Sequence, residues 1–181
     1  MDDIASLISV SKRTIYELFT DKENLILEAI KYSQETIAAE AKEIIRNSND
    51  ILDIILRLYE LYFRTLSNTN RLFLIELERY PEVLNRRKAR EKKNNKRFIA
   101  WMEEGRKQGL FREDADFGIL AFILQRDLEL IMTVNKQPGN SDLSHYKPEE
   151  LGRLLILFYL RGIATAKGRE RIEEFIDKNK Q

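Results

Sequence analysis

The chain has no cysteine, one histidine, three prolines and seven glycines among its 181 residues. Without cysteine it has no disulfide, no thiolate metal site and no cysteine nucleophile, which agrees with a reducing cytoplasm. No apolar run approaches the length that spans a bilayer, and the N-terminus has no signal-peptide pattern, so we expect a cytoplasmic protein with no membrane partner. The formal net charge is only +1. Any binding to nucleic acid must therefore come from a local basic patch.

Groups that commonly perform catalysis are also scarce. The single histidine, His145, lies in a predicted loop without a serine-histidine-acid pattern or metal-ligand spacing around it. Glu103 and Glu104, like Glu149 and Glu150, are adjacent along a predicted helix, so their carboxylates point in different directions. We therefore expect no enzymatic activity, no metal and no cofactor.

The residues that are abundant, namely Leu, Ile, Glu, Lys and Arg, are typical of helices, and no segment alternates apolar and polar residues as a strand does. We predict an all-α fold. Asp50 is placed to cap a helix whose apolar stripe runs from Ile51 to Leu66. The other predicted helices cover 21–46, 69–80, 81–109, 116–136 and 148–167, with a polar loop over 137–147 and a short terminal helix after Gly168.

The segment 4–25 has the pattern of a short helix, a tight turn, a second helix and the start of a long third one. Asp2 and Asp3 place acidic groups where the first helix begins, and Ser9 with Val10 interrupts it. This arrangement of short helices about a turn is the pattern of a DNA-reading motif.

The second helix of this segment has two different faces. Ser11 is placed to cap its backbone N–H groups, and Ile15, Leu18 and Phe19 recur at helical spacing and are expected to pack inward. The opposite face carries Lys12, Arg13, Thr14 and Tyr16.

The third helix begins with an unusual charge. Asp21 is a plausible cap, and Lys22 follows in the first helical turn. A cation there opposes the helix dipole, which makes sense if its partner is an external anion such as a DNA phosphate.

This segment resembles the helix-turn-helix of the TetR family of bacterial transcriptional regulators. The resemblance lies in Ile4 and Ala5, Val10 to Lys12, Thr14 to Tyr16, Phe19, and Lys22 to Leu25. It implies that Lys12, Arg13 and Thr14 face base edges or nearby phosphates of double-stranded DNA, while Tyr16 and Lys22 hold the DNA backbone. It also implies a helix-turn-helix head over residues 1–30 and a helical ligand-binding and dimerisation domain over residues 31–181.

Two features depart from the family pattern. Ser9 stands at a turn position where the family usually has glycine, so the turn there is expected to be strained or slightly different in shape. The family's first helix has no counterpart, because Met1 aligns inside the usual domain. The head is thus expected to be truncated by a late start, and the chain as it stands to bind DNA weakly or not at all.

The last two long helices are apolar on most sides, and such helices must be buried on most sides. In the family the corresponding helices form a four-helix dimer interface. The resemblance therefore implies a homodimer through the helices near 116–136 and 148–167, which would suit a roughly palindromic operator. The alternative is that these helices form the core of a monomer.

The middle helices offer candidates for binding a small-molecule effector. Aromatic residues there are able to line an apolar cavity, with polar residues of the next helix orienting a ligand. The alternative is an ordinary core of aromatic residues, with the polar ones at a dimer seam. The predicted ligand-binding residues are Tyr59, Tyr62, Phe63, Phe73, Phe98, Trp101, Gln125, Arg126 and Glu129.

A basic segment runs from Arg86 to Arg97 and contains Glu91 as its only acid. It is either an anion-binding site or, as charge runs more often are, a solvated helix face.

Two functions remain. One is a ligand-responsive transcriptional repressor that binds DNA as a dimer. The other is a dimeric helical ligand-binding or protein-interaction module without effective DNA binding.

Overall fold

The computed structural model describes residues 1–136 and 146–179, which form nine α-helices. These are α1 (Asp2–Leu7), α2 (Lys12–Leu18), α3 (Lys22–Asn47), α4 (Ile51–Ser67), α5 (Arg71–Glu76) with a following 3-10 turn (Leu77–Arg79), α6 (Pro81–Lys107), α7 (Phe117–Lys136), α8 (Pro148–Ile163) and α9 (Ala166–Lys178). The predicted all-α fold is confirmed for this part of the chain. Most of the predicted loop over 137–147, including His145, lies outside the described residues.

Local capping explains where several of these helices begin. The hydroxyl of Ser11 accepts a hydrogen bond from the backbone N–H of Thr14 at 3.0 Å, and the carboxylate of Asp21 accepts one from that of Asn24 at 2.7 Å. Asp50 caps α4 in the same way. The predicted starts of α2, α3 and α4 are therefore confirmed.

The core is built around α4, which packs against α3, α6, α8 and α9. Its buried residues meet apolar side chains from four other elements, so the body from α4 to α9 shares one core. The core includes Leu52 and Ile55 of α4, Met102 of α6, Leu124 of α7, Leu160 of α8 and Ile172 of α9. Helix α3 continues without a break through residue 30, where the sequence suggested a domain boundary.

The junction of α8 and α9 differs from the prediction. Helix α8 ends at Ile163 rather than Lys167, because Ala164 is extended and pairs with Phe111. The hydroxyl of Thr165 then caps α9 by accepting from the backbone N–H of Gly168 at 3.1 Å.

Gly168 was predicted to precede the terminal helix, and it instead lies in the first turn of α9. An added Cβ would lie 2.1 Å from the carbonyl oxygen of Leu110. The glycine therefore allows the helix to approach the backbone of the α6–α7 loop.

The predicted helix over 69–80 is shorter in the structure. Asn70 caps α5, and the chain tightens into the 3-10 turn after Glu76. Tyr80 is then extended, as expected for a residue before a proline, here Pro81.

None of the helices that the structure describes is both long enough and apolar enough to cross a membrane.

Candidate DNA-binding surface and ligand cavity

The turn between α1 and α2 contains the left-handed residue that the sequence suggested. Ser9 has φ of 55°, in the region that favours glycine. The backbone N–H of Ser9 donates to the carbonyl of Ser6 at 3.3 Å, and that of Val10 donates to Ala5 at 3.0 Å. These bonds form a Schellman motif, so the serine accepts the unfavourable backbone conformation while the freed carbonyls of α1 are satisfied.

The outward face of α2 carries four of the predicted DNA-binding residues. Lys12, Arg13, Thr14 and Tyr16 are all exposed, and the Arg13 side chain is 88% exposed. Arg13 forms an ion pair with Glu17 at 2.9 Å on its own helix. Exposed pairs of this kind stabilise a protein little, so a phosphate is able to replace the carboxylate.

Lys12 has a partner on α1. Its ammonium group donates to the carboxylate of Asp2 at 3.0 Å, and this contact raises the pKa of Lys12 and lowers that of Asp2. Both cationic side chains at the start of α2 thus form ion pairs at the surface.

Lys22, the fifth predicted DNA contact, is held by the helical body. Its ammonium group donates to the carboxylate of Glu76 at 2.7 Å and lies 5.9 Å from the ring centre of Tyr80. The hydroxyl of Tyr80 donates to the same carboxylate at 3.2 Å. The hydrogen bond with Glu76 is the main cause that raises the pKa of Lys22, and the hydrogen bond from Lys22 is the main cause that lowers the pKa of Glu76.

The head buries few apolar side chains. Ala5 and Ile15 are buried, whereas Leu7 is 85% exposed and Leu18 is 73% exposed. The expectation that Leu18 packs inward is wrong. Leu18 follows Ile15 by three residues and so lies on nearly the same side of α2, but no element that the structure describes covers it.

A cavity of about 250 Å³ lies between α4, α8 and α9. Its walls are mainly apolar and aromatic, and charged side chains stand among them. The lining residues are Leu56, Tyr59, Glu60, Phe63, Arg64, Glu149, Arg153, Ile156, Leu157, Phe175 and Ile176. We call this space the α4–α8–α9 cavity.

Four of the predicted ligand-binding residues lie in or behind its wall. Tyr59 and Phe63 line the cavity, with ring centres 6.3 Å apart. Phe98 packs edge-on against Tyr59 at 6.2 Å, and Tyr62 packs edge-on against Phe63 at 5.2 Å. Phe98 and Tyr62 therefore support the wall without lining it.

The other five predicted ligand-binding residues lie elsewhere. Phe73 is partly exposed on α5, and Trp101 lies under the guanidinium of Arg97, 5.0 Å from its ring centre.

Gln125, Arg126 and Glu129 form a polar cluster on α7. The side-chain amide of Gln125 donates to Glu129 at 3.2 Å and accepts from Asn95 of α6, while Arg126 donates to Glu129 at 2.8 Å. These residues find the polar partners that the sequence required, but they do not line the α4–α8–α9 cavity.

Sequence reasoning missed the half of the cavity that α8 and α9 contribute. Ile156, Phe175 and Ile176 have ordinary helical spacing, which marks them as apolar but does not show which helix faces them. Glu60 and Arg153 look like surface charges in the sequence for the same reason.

The basic segment lies on an exposed part of α6. Arg86 forms an ion pair with Glu82 and Arg87 with Glu91, both at 2.9 Å. Residues 85–90 are all exposed. This arrangement favours a solvated helix face with local charge pairs.

Apolar side chains also remain exposed on α7 and α8. Phe122 is 61% exposed and Leu130 57% on α7, while Leu154 is 64% and Phe158 74% exposed on α8. Ile119 of α7 adds to this set, at 60% exposed. We call these five residues the α7–α8 apolar face.

No protein-family model and no curated protein sequence matches the chain. Solved structures do match it over most of its length. A TetR-family transcriptional regulator from Agrobacterium tumefaciens is 18% identical, with 91% of this chain and 86% of that chain covered and a TM-score of 0.68.

Two further structures show the same likeness. A TetR-family transcriptional regulator from Thermus thermophilus is 20% identical, with coverage of 88% and 86% and a TM-score of 0.63. A protein from Saccharomonospora viridis in complex with choline is 20% identical, with coverage of 91% and 86% and a TM-score of 0.69. The chain therefore has the fold of TetR-like transcriptional regulators, an all-α architecture with a helix-turn-helix head and a helical body.

Proposed function

We propose that the protein is a cytoplasmic TetR-like transcriptional regulator, a ligand-responsive repressor that binds a roughly palindromic DNA operator as a homodimer. The observation that carries this proposal is the face of α2. Within a TetR-like fold, a helix that follows a Schellman turn presents Lys12, Arg13, Thr14 and Tyr16 to solvent. Cationic and hydroxyl side chains on one exposed helix are suited to phosphates and base edges in the major groove.

The α7–α8 apolar face supports the dimer. Large exposed apolar side chains grouped on two adjacent helices are typical of a surface that a partner covers. A second copy is a suitable partner, because a two-fold dimer places two α2 helices in major grooves about 34 Å apart.

Two contacts support a response to ligand. Arg64, which lines the α4–α8–α9 cavity, forms an ion pair with Glu40 of α3, and Lys22 at the start of α3 pairs with Glu76 of the body. A ligand that favours one position of α4 thereby favours one position of α3 and of the head. The choline in the Saccharomonospora viridis structure supports a small-molecule role for bodies of this shape.

Fluorescence anisotropy over a range of salt concentrations tests the DNA-binding role. The two DNAs compared are the promoter upstream of the gene that encodes the protein and a scrambled sequence. Arg13→Ala is expected to reduce the preference for promoter over scrambled DNA, because it removes a base-reading side chain. Lys22→Ala is expected to weaken both DNAs alike and to reduce the salt slope by about one.

Lys42→Ala serves as the control, since Lys42 is an exposed lysine of α3 away from the head. Lys42→Ala should change neither the preference for promoter over scrambled DNA nor the salt slope of binding. If wild-type protein binds neither DNA at low salt, or if all three variants behave alike, the chain is better described as a dimeric ligand-binding or protein-interaction module.

Glu76→Gln is expected to raise DNA affinity about two- to fivefold, because a phosphate then no longer competes with the carboxylate for Lys22. Glu78→Gln removes the same charge two residues along the chain and should have a smaller effect. In a Lys22→Ala background the effect of Glu76→Gln should disappear, which a double-mutant cycle measures. Equal gains from Glu76→Gln with and without Lys22 would show a general charge effect instead.

A further inference from the structure

The α4–α8–α9 cavity has an unequal set of available charges. Arg64 is already paired with Glu40 outside the cavity. Glu60, Glu149 and Arg153 form no hydrogen bond or ion pair with any residue that the structure describes. Both lining carboxylates therefore lack a bonded partner among the described residues, whereas one of the two lining guanidiniums already has one.

The burial of Glu60 also favours an added positive charge. Burial against the apolar wall is the largest cause and raises the pKa of its carboxyl, while the positive charges of Arg153, Arg57 and Arg64 act in the opposite direction. A cation placed beside this carboxylate would offset the cost of holding its charge near apolar side chains.

The cavity wall contributes a further acceptor and three aromatic rings. The hydroxyl of Tyr59 makes no hydrogen bond with any described residue, and burial raises its pKa, so that the hydroxyl stays protonated at neutral pH. Its oxygen has lone pairs that are able to accept a hydrogen bond. The rings of Tyr59, Phe63 and Phe175 present surfaces that attract both apolar groups and cations.

We propose that the α4–α8–α9 cavity binds a small organic ammonium ion with an apolar body. The apolar body lies against Tyr59, Phe63 and Ile156, and the ammonium group lies toward Glu60 and Glu149, which accept charge-assisted hydrogen bonds. An organic anion would instead face two carboxylates, and one of the two lining guanidiniums, that of Arg64, already pairs with Glu40.

The size of the cavity limits the ligand. Its volume of about 250 Å³ lies just below the lower end, about 300 Å³, of pockets for drug-sized molecules. The expected ligand is therefore smaller than most drugs. The proposed ligand binding depends on the cavity alone, whereas an effect of the ligand on DNA affinity rests on the proposed function.

The test compares octylammonium, 1-octanol and octanoate, which have alkyl chains of the same length and differ in charge. Isothermal titration calorimetry on the full chain without DNA, at neutral pH and low salt, measures each affinity. Octylammonium is expected to bind about tenfold more tightly than octanol, because it adds charge-assisted hydrogen bonds, and octanoate is expected to bind most weakly.

Substitutions of single residues test which side chains interact with the ammonium group. Glu149→Gln and Glu60→Gln should each weaken octylammonium about tenfold and leave octanol unchanged, whereas Arg153→Gln should strengthen octylammonium. Glu35→Gln removes an exposed carboxylate of α3 and is the matched control, with no expected effect. Circular dichroism checks that every variant keeps its helical fold.

Octanoate binding as tightly as octylammonium, or equal losses in Glu35→Gln and Glu149→Gln, would overturn the assignment of a cation. No binding of octylammonium at millimolar concentration would overturn the site itself. Because these titrations contain no DNA, a failure of DNA binding would leave their result intact. Octylammonium that binds without changing DNA affinity would contradict only the regulatory role.

Discussion

Replacing Phe158 by glutamate is expected to convert the proposed dimer into a monomer and to reduce the affinity for the proposed operator by about 100-fold. Phe158 is 74% exposed on α8, and Leu154, one turn earlier, is 64% exposed. A glutamate at this position would bury a charge within the proposed subunit contact, while the folded monomer would lose no core packing. Sedimentation at micromolar concentration measures the assembly state, and anisotropy with promoter DNA measures the affinity.

Leu72→Glu provides the matched control. Leu72 is 72% exposed on α5, outside the α7–α8 apolar face, and the substitution makes the same change from apolar to acidic. It should leave the dimer and its DNA affinity unchanged. A wild-type chain that sediments as a monomer, or a Phe158→Glu variant that remains a dimer, would contradict this assignment of the interface.

Gly152→Ala is expected to destabilise the protein by about 3 kcal/mol. A Cβ at Gly152 would lie 2.0 Å from the ring of Phe63, which is only 3% exposed and packs against Tyr59 and Tyr62. Either the ring must leave its packing against the two tyrosines and shift toward the cavity, or α4 and α8 must separate. For a chain of this length the melting temperature should fall by roughly 10 °C in a thermal scan by circular dichroism.

The same helix supplies the control. Gly162 also lies in α8, and nothing stands within 4 Å of a Cβ built there. Gly162 is the next-to-last residue of α8, so Gly162→Ala should stabilise the protein slightly, by less than the roughly 1 kcal/mol that helix propensity gives in a helix interior. Adding Phe63→Leu to Gly152→Ala should recover part of the lost stability, because the smaller side chain removes the clash. Similar melting temperatures for the two alanine variants would contradict the close packing of Phe63 on α8.

The sequence predicted best those features that depend on a few neighbouring residues. Ser11, Asp21 and Asp50 cap helices through contacts three residues away, and Ser9 takes the left-handed conformation that its place in the turn required. Helical periodicity also predicted the exposure of Lys12, Arg13, Thr14 and Tyr16 on α2, although it wrongly placed Leu18 inside.

Contacts between distant residues were beyond sequence reasoning. Lys22 meets a carboxylate 54 residues away, so the pattern that suggested a phosphate partner gave no sign of Glu76. Gly168 resembles a helix stop unless the approach of Leu110 is known. Half of the cavity was missed likewise, because periodicity does not show which helices pack together.

Helix α8 contributes residues both to the α4–α8–α9 cavity and to the α7–α8 apolar face. Arg153, Ile156 and Leu157 line the α4–α8–α9 cavity, while Leu154 and Phe158 belong to the α7–α8 apolar face. In a two-fold dimer each cavity would then lie only one helix diameter, about 10 Å, from the symmetry-related α8. A shift of α8 that accommodates the first ligand would also move α8 of the second subunit. The shape of the second cavity would then change before that cavity binds its own ligand. Titration of the dimer should accordingly give a Hill coefficient different from one, and the Phe158→Glu monomer should return it to one.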